Sequence, residues 1–198
     1  MSEVFRILHV CTGNICRSPM AERLTRAGLQ ERLGPASGRF VVDSAGTWGQ
    51  AGAPMEPYAL STLQSVSLDG TDFRARELVA EHVARADLVL GATREHRAAA
   101  VVLHPRAAAR SFTLREFDRL TGEVEPAQLT ASDPVERARE LVRAAAGRRG
   151  LVPPGSPRDD DLADPYQGPE HGFTVCGDLV RRSLQRPLDL IAAAVESR

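Results

Sequence analysis

Cys11, Cys16, Arg17 and Ser18 stand close together near the start of the sequence, and their types and spacing suit chemistry on an anion. Five residues separate Cys11 from Arg17. Among them, Gly13 and Asn14 tolerate the left-handed backbone of a tight loop. A loop wrapped ahead of a helix N-terminus gathers backbone N–H groups in one concavity, where the helix dipole adds partial positive charge. Arg17 adds a planar fork of donors matched to phosphate oxygens. Cys11, at the strand end of the loop, lies in a field that favours its thiolate. An oxyanion cradle beside a nucleophile is the arrangement for in-line attack on a bound phosphate. A buried cysteine in a strand-to-helix turn is the bland alternative, and an arginine and a serine at the helix mouth argue against it.

These residues need a strand, a loop and a helix to hold them. The apolar run from Val4 to Val10 predicts the strand. A helix of about Ser18 to Leu33 follows, with Ser18 and Pro19 as N-cap and first-turn pair and Met20, Leu24 and Ala27 on one side. Downstream the pattern alternates. Phe40 to Val42 predicts a second strand. A helix from about Glu56 to Ser67 buries Tyr58, Leu60, Leu63 and Val66, and a short one spans Leu78 to Ala84. Ala86 to Gly91 reads as a central strand, Arg94 to Leu103 as a helix stopped by His104 and Pro105, and Ser111 to Thr113 as a fourth strand. Leu114 to Leu120 and Pro134 to Ala146 read as helical. Alternating strand and helix implies an α/β fold, with a four-stranded parallel sheet flanked by helices on both faces and a phosphate-binding loop after strand one. The chain is expected to be a single domain over 1–198, with an elaborated surface excursion at about 121–158.

The final run places Phe173, Cys176, Val180, Leu184, Leu188, Ile191 and Val195 at three- and four-residue intervals. This is a core-facing stripe in which Cys176 is a buried hydrophobe. Pro187 either kinks that helix or opens a second one.

Ester cleavage at phosphorus benefits from a general acid opposite the nucleophile. Two Asp-Pro pairs compete. Asp133-Pro134 has the form of a helix N-cap with proline in the first turn. Asp164-Pro165-Tyr166 lies in a loop, with proline restricting the backbone and Tyr166 offering a ring for an aromatic substrate. Repulsion from Asp159, Asp160 and Asp161 would favour a protonated Asp164, and a solvated acidic loop is the plain alternative. Trp48, just past the second strand, is either a packed cap on the core or a wall of a cleft at the strand ends.

Net charge is −1 over 198 residues, so no global basic field points to nucleic acid. Arginine-rich stretches such as Arg137-Ala138-Arg139-Glu140 and Arg148-Arg149 read as solvated faces or helix ends. No apolar run approaches the ~20 residues of a membrane span, and no signal peptide is evident. A cytoplasmic location with reduced cysteines is expected. The histidines, His9, His82, His96, His104 and His171, lack metal-ligand spacing. No metal and no cofactor are expected.

The stretch Cys11-Thr12-Gly13-Asn14-Ile15-Cys16-Arg17-Ser18-Pro19 resembles the signature of the low-molecular-weight protein tyrosine phosphatases. Ser44-Ala45-Gly46-Thr47 and Asp164-Pro165-Tyr166 also resemble that family, and this resemblance favours Asp164 over Asp133. It implies a metal-free, two-step hydrolysis of phosphotyrosine in proteins through a cysteinyl-phosphate. Cys11 would be the nucleophile, with Arg17 and the amides of Thr12, Gly13, Asn14, Ile15, Cys16 and Arg17 holding the phosphate, and Asp164 the acid and then the base. Asn14 would keep the loop's shape, Ser18 would serve the thiolate, and Trp48 and Tyr166 would flank the substrate. In a bacterial host the family suggests a tyrosine kinase of polysaccharide export as substrate. Related folds leave alternatives: an arsenate reductase, which needs further shuttle cysteines, or a protein arginine phosphatase, which carries threonine where this chain has the bulkier Ile15. A phosphate-binding module without turnover is a further alternative. Cys16 is either a small buried residue or a partner for Cys11 in a protective disulfide.

Overall fold

Four short apolar segments pair into one parallel sheet in the computed structural model, which describes residues 3–154 and 156–193. The strands are β1 (Phe5–Cys11), β2 (Phe40–Gly46), β3 (Leu88–Gly91) and β4 (Ser111–Thr113), in the order β2-β1-β3-β4. Parallel neighbours require crossover connections. The helices are α1 (Arg17–Leu33), α2 (Pro57–Gln64), α3 (Ala80–Arg85), α4 (Arg94–Leu103), α5 (Leu114–Gly122), α6 (Pro134–Gly147) and α7 (Glu170–Ala192). The α/β class, the four parallel strands and the helices on both faces agree with expectation.

Alternation along β1 sorts the helices. Phe5, Ile7 and Cys11 join the larger apolar cluster with Met20 and Leu29 of α1 and Phe173 and Leu188 of α7. Leu8 and Val10 join a smaller cluster with Val83 of α3 and Ala100 of α4. Cys11 pairs with Gly46, Val10 with Gly91, and Gly91 with Thr113. The strands therefore end level, and the loops after β1, β2 and β3 share one edge, where ligands of open α/β sheets bind.

Several expectations need correction. α1 starts at Arg17 with Cys16 as N-cap, and no side chain caps it; the Ser18 hydroxyl faces the site instead. Met20 is buried and Leu24 packs partly against the core as expected, but of the eight buried residues of α1 half are polar: Arg17, Ser18, Glu22 and Thr25. In α2 only Ala59 and Leu63 are buried, Leu60 packs partly against the core and Tyr58 is exposed, while Val66 is exposed beyond the end of α2 at Gln64. Arg137 is buried, with its guanidinium donating to the carbonyls of Leu190, Leu129, Ala131 and Pro126. Arg149 stacks 3.9 Å over the Phe112 ring. Neither is a solvated face.

Within 121–158, Val124, Leu129, Val135, Ala138, Leu141 and Val142 pack into the larger apolar cluster. Helix α7 continues through Pro187, and Cys176 is buried in its stripe. Val195 lies outside the described residues. No helix among the described residues is long and apolar enough to cross a membrane.

Candidate active site

The loop between β1 and α1 is shaped from outside by the β2–α2 connection. Cys11 O accepts from Thr47 N at 2.9 Å, Thr12 O from Trp48 N at 3.0 Å, Gly13 O from Gln50 N at 3.1 Å and Ile15 O from Glu56 N at 2.9 Å. No peptide bond among the described residues is cis, and in a trans peptide the next N–H points opposite to the carbonyl. The amides of Thr12, Gly13, Asn14 and Cys16 are thus turned away from that connection, into the bowl of the loop. This close approach needs glycine at the end of β2: a Cβ on Gly46 would lie 2.3 Å from Thr12 O.

Asn14 closes the bowl from beneath in the left-handed conformation, φ 55°, whereas Gly13 does not adopt positive φ. The Asn14 Nδ2 donates to Ser18 Oγ and Ser44 Oγ, each at 2.9 Å, and its Oδ1 accepts from Arg76 N at 2.8 Å. The Ser44 hydroxyl donates onward to Glu22 Oε2 at 2.6 Å. These contacts explain the polar stripe of α1. Ser18 Oγ, having accepted from Asn14, has its hydrogen left for Cys11 Sγ at 2.9 Å, a polarity that suits a charged sulfur.

Arg17 is buried. Its Nη1 donates to Leu162 O at 3.3 Å, and its Nη2 donates to Thr12 Oγ1 at 3.3 Å and to Asp164 Oδ2 at 2.5 Å. Its Nε is buried without a partner among the described residues. A buried donor left unmade is costly, and an oxyanion held in the loop would supply an acceptor. Asp164 is half exposed, and its Oδ1 accepts from Tyr166 N at 3.2 Å.

One cleft of about 230 Å³ collects Cys11, Thr12, Gly13, Ile15, Cys16, Arg17, Trp48, Asp164 and Tyr166. Trp48 is 80 % exposed, so it is not a packed cap on the core. Asn14 and Ser18 support the loop from behind. Asp133 lies elsewhere: it caps α6 through Val135 N and Glu136 N and pairs with Arg39. The charges expected to press on Asp164 are already engaged. Asp159 accepts from Ser156 N, Asp160 pairs with Arg119 and Asp161 with Arg94.

Sequence reasoning missed two residues. Gln50 lines the cleft beside Gly13. His96, 6 % exposed, places Nε2 3.0 Å from Thr12 Oγ1 and Nδ1 2.8 Å from Thr93 Oγ1. Burial, and then the Arg17 guanidinium, push its pKa down to about 4, so it is neutral near pH 7. The spacing of Thr93 and His96 over one helical turn was the available signal. Burial pushes the Cys16 thiol up, with Cys11 adding to the shift.

The sequence matches the family described as low molecular weight phosphotyrosine protein phosphatase over residues 6–147. It is 31 % identical over 196 residues to a low molecular weight protein-tyrosine-phosphatase of Streptomyces coelicolor, covering 98 % of each chain. It is 35 % identical over 113 residues to a protein-arginine-phosphatase of Geobacillus stearothermophilus, covering 57 % of this chain and 71 % of that one. The fold superimposes on a low molecular weight protein tyrosine phosphatase from T. tengcongensis with a TM-score of 0.66 at 27 % identity, over 92 % of this chain and 96 % of that one. YwlE arginine phosphatase from Geobacillus stearothermophilus gives 0.66 at 26 % identity, over 93 % and 91 %. Asp164 lies beyond the family match, and its contact with Arg17 is what joins it to the matched loop. A cysteine-and-arginine loop of this shape, on this sheet and with these relatives, makes the chain a member of the low molecular weight phosphotyrosine protein phosphatase family.

Proposed function

We propose that the chain hydrolyses phosphotyrosine in proteins through a cysteinyl-phosphate, with Cys11 as nucleophile, Arg17 and the loop amides as phosphate ligands and Asp164 as acid and base. The observation that carries this reading is the meeting of Cys11, Arg17 and Asp164 in one cleft. The Cys11 thiolate attacks phosphorus and the bond to the tyrosine oxygen breaks, while Asp164 gives that oxygen its proton. Asp164, now ionised, takes a proton from water as the water attacks phosphorus. The P–S bond then breaks, releasing phosphate and the thiolate. Asn14 preserves the loop's shape, Ser18 steadies the sulfur charge, and Trp48, Gln50 and Tyr166 form the walls that meet the substrate. The chain works as a single domain in the cytoplasm, with no cofactor, and in a bacterial host a tyrosine kinase is a substrate that suits it.

The test is phosphate release from an aryl phosphate by reduced enzyme in the presence of a metal chelator. Wild type is expected to turn over and Cys11→Ser to be inactive. An inactive reduced wild type, or an active Cys11→Ser, overturns the reading.

Phosphoarginine is the second reading, favoured by the arginine phosphatases among the relatives. Against it stands Ile15, whose branched side chain lines the cleft. Parallel assays on phosphotyrosine and phosphoarginine peptides separate the two, and Ile15→Thr is expected to shift activity toward phosphoarginine. An arsenate reductase needs a shuttle cysteine. Cys176 is ill-suited to that role, since it is buried in α7 with its thiol pushed up to about 12.

A further inference from the structure

The first turn of α4 touches both halves of the cleft. Arg94 N donates to Asp161 Oδ1 at 2.8 Å, and the Arg94 guanidinium grips the same carboxylate through Nη2 to Oδ2 at 3.0 Å and Nε to Oδ1 at 3.3 Å. Just ahead of it, Ala92 O accepts from Leu162 N at 2.8 Å. These contacts fix the stretch that leads to Asp164. Two residues past Arg94, His96 bridges Thr93 and Thr12, and Thr12 Oγ1 accepts from Arg17 Nη2. The junction itself is tight: a Cβ on Gly91 would lie 2.7 Å from Arg97 N.

Part-exposed ion pairs contribute little to stability. A two-pronged pair reinforced by a backbone N–H instead fixes direction, which is what a general acid requires. His96 is different, being buried with both ring nitrogens engaged. Whichever nitrogen carries the proton, the Thr12 hydroxyl keeps a lone pair for Arg17.

We propose that the first turn of α4 sets the register between the two halves of the active site: His96 is a positioning residue for Arg17, acting through Thr12, and Arg94 is a positioning residue for Asp164, acting through Asp161. This rests on the phosphatase reading and adds a division of labour that gives the two residues different kinetic signatures. Arg17 holds the phosphoryl oxygens of every ester, so loosening it weakens all phosphate ligands whatever the leaving group. Asp164 acts on the leaving oxygen alone, so letting it drift hurts basic leaving groups most.

The experiment measures kcat/KM for phenyl phosphate and p-nitrophenyl phosphate, together with the inhibition constant of inorganic phosphate. Wild type is compared with His96→Leu, His96→Gln, Arg94→Gln and Asp161→Asn. His96→Leu is expected to lower both esters by a common factor, up to about 10²-fold, and to weaken phosphate inhibition; His96→Gln recovers part of both. Arg94→Gln and Asp161→Asn are expected to lower the phenyl ester several-fold more than the nitrophenyl ester, with phosphate inhibition no weaker than in wild type. The ester ratio and the inhibition constant do not depend on the folded fraction, so partial unfolding cannot imitate either pattern. The assignment is overturned if the two pairs of variants share one pattern, or if both quantities stay at wild-type values throughout. A wild type inactive on both esters would instead remove the phosphatase reading beneath it.

Discussion

Arg17 and Asp164, 147 positions apart, share a hydrogen bond of 2.5 Å in the cleft. The arginine that would bind phosphate is thus occupied by the carboxylate that would protonate the leaving group. A phosphate held by Arg17 would compete with Asp164 for the same guanidinium nitrogen.

Asp164→Asn should therefore act in two directions at once. It removes a proton donor, which should lower kcat/KM for phenyl phosphate by on the order of 10²–10⁴ and for p-nitrophenyl phosphate by less. It also removes a negative charge that competes for Arg17, so inorganic phosphate should inhibit the variant more tightly than wild type. Steady-state kinetics with both esters and phosphate reads the two effects together, and weaker phosphate binding in Asp164→Asn would contradict the competition.

Ser18→Ala isolates the hydroxyl that faces Cys11 Sγ at 2.9 Å. Sulfur departs as an anion when the cysteinyl-phosphate breaks, so loss of one charge-assisted hydrogen bond should lower kcat about tenfold or more and lower KM with it, leaving kcat/KM nearly unchanged. Burst kinetics should show the phospho-enzyme accumulating. A fall in kcat/KM with no burst would point to a distorted loop instead.

What the sequence made legible was local. The phosphate loop lies in one stretch, with β1 and α1 each meeting it one residue from the expected end; α4, stopped by His104-Pro105, and Ser111 to Thr113, with its own β-branched and aromatic signature, match their predicted bounds. What stayed hidden depended on partners far away in the chain. His96 meets Thr12 across 84 residues, and Arg137 is buried because four carbonyls, one of them from α7, converge on it. An arginine that collects buried carbonyls looks the same in sequence as one that faces water. The polar half of the buried face of α1 was missed for a related reason: Glu22 and Thr25 face inward to bond Ser44 and His9, and periodicity of apolar residues does not register such contacts.

Cys16 is buried and its thiol is pushed up by that burial, so little of it is thiolate near neutrality. If Cys11 is oxidised to a sulfenic acid, capture by Cys16 requires the thiolate. Recovery of peroxide-treated enzyme by a thiol reductant should accordingly improve as pH rises from 7 to 9, and Cys16→Ser should abolish that improvement. A recovery independent of both pH and Cys16 would rule out a protective disulfide.

His9 gives the fold an acid weakness separate from the chemistry. It is buried in β1, where its Nε2 meets Thr25 Oγ1 at 2.9 Å, and burial pushes its pKa down to about 3 from 6.5. Between those two values the unfolded chain binds a proton that the folded chain refuses. The unfolded state therefore binds more protons in that window, and stability must rise with pH across it and fall on acidification. Each pH unit below 6.5 costs up to about 1.4 kcal/mol for this one residue, until the folded histidine itself protonates near pH 3. His96 adds a parallel slope that ends near pH 4. His9→Gln carries no titrating proton and keeps a donor for Thr25, so its urea midpoint should depend less steeply on pH than wild type between pH 6.5 and 4.5. Identical slopes for the two proteins would show that His9 is not the group that yields to acid.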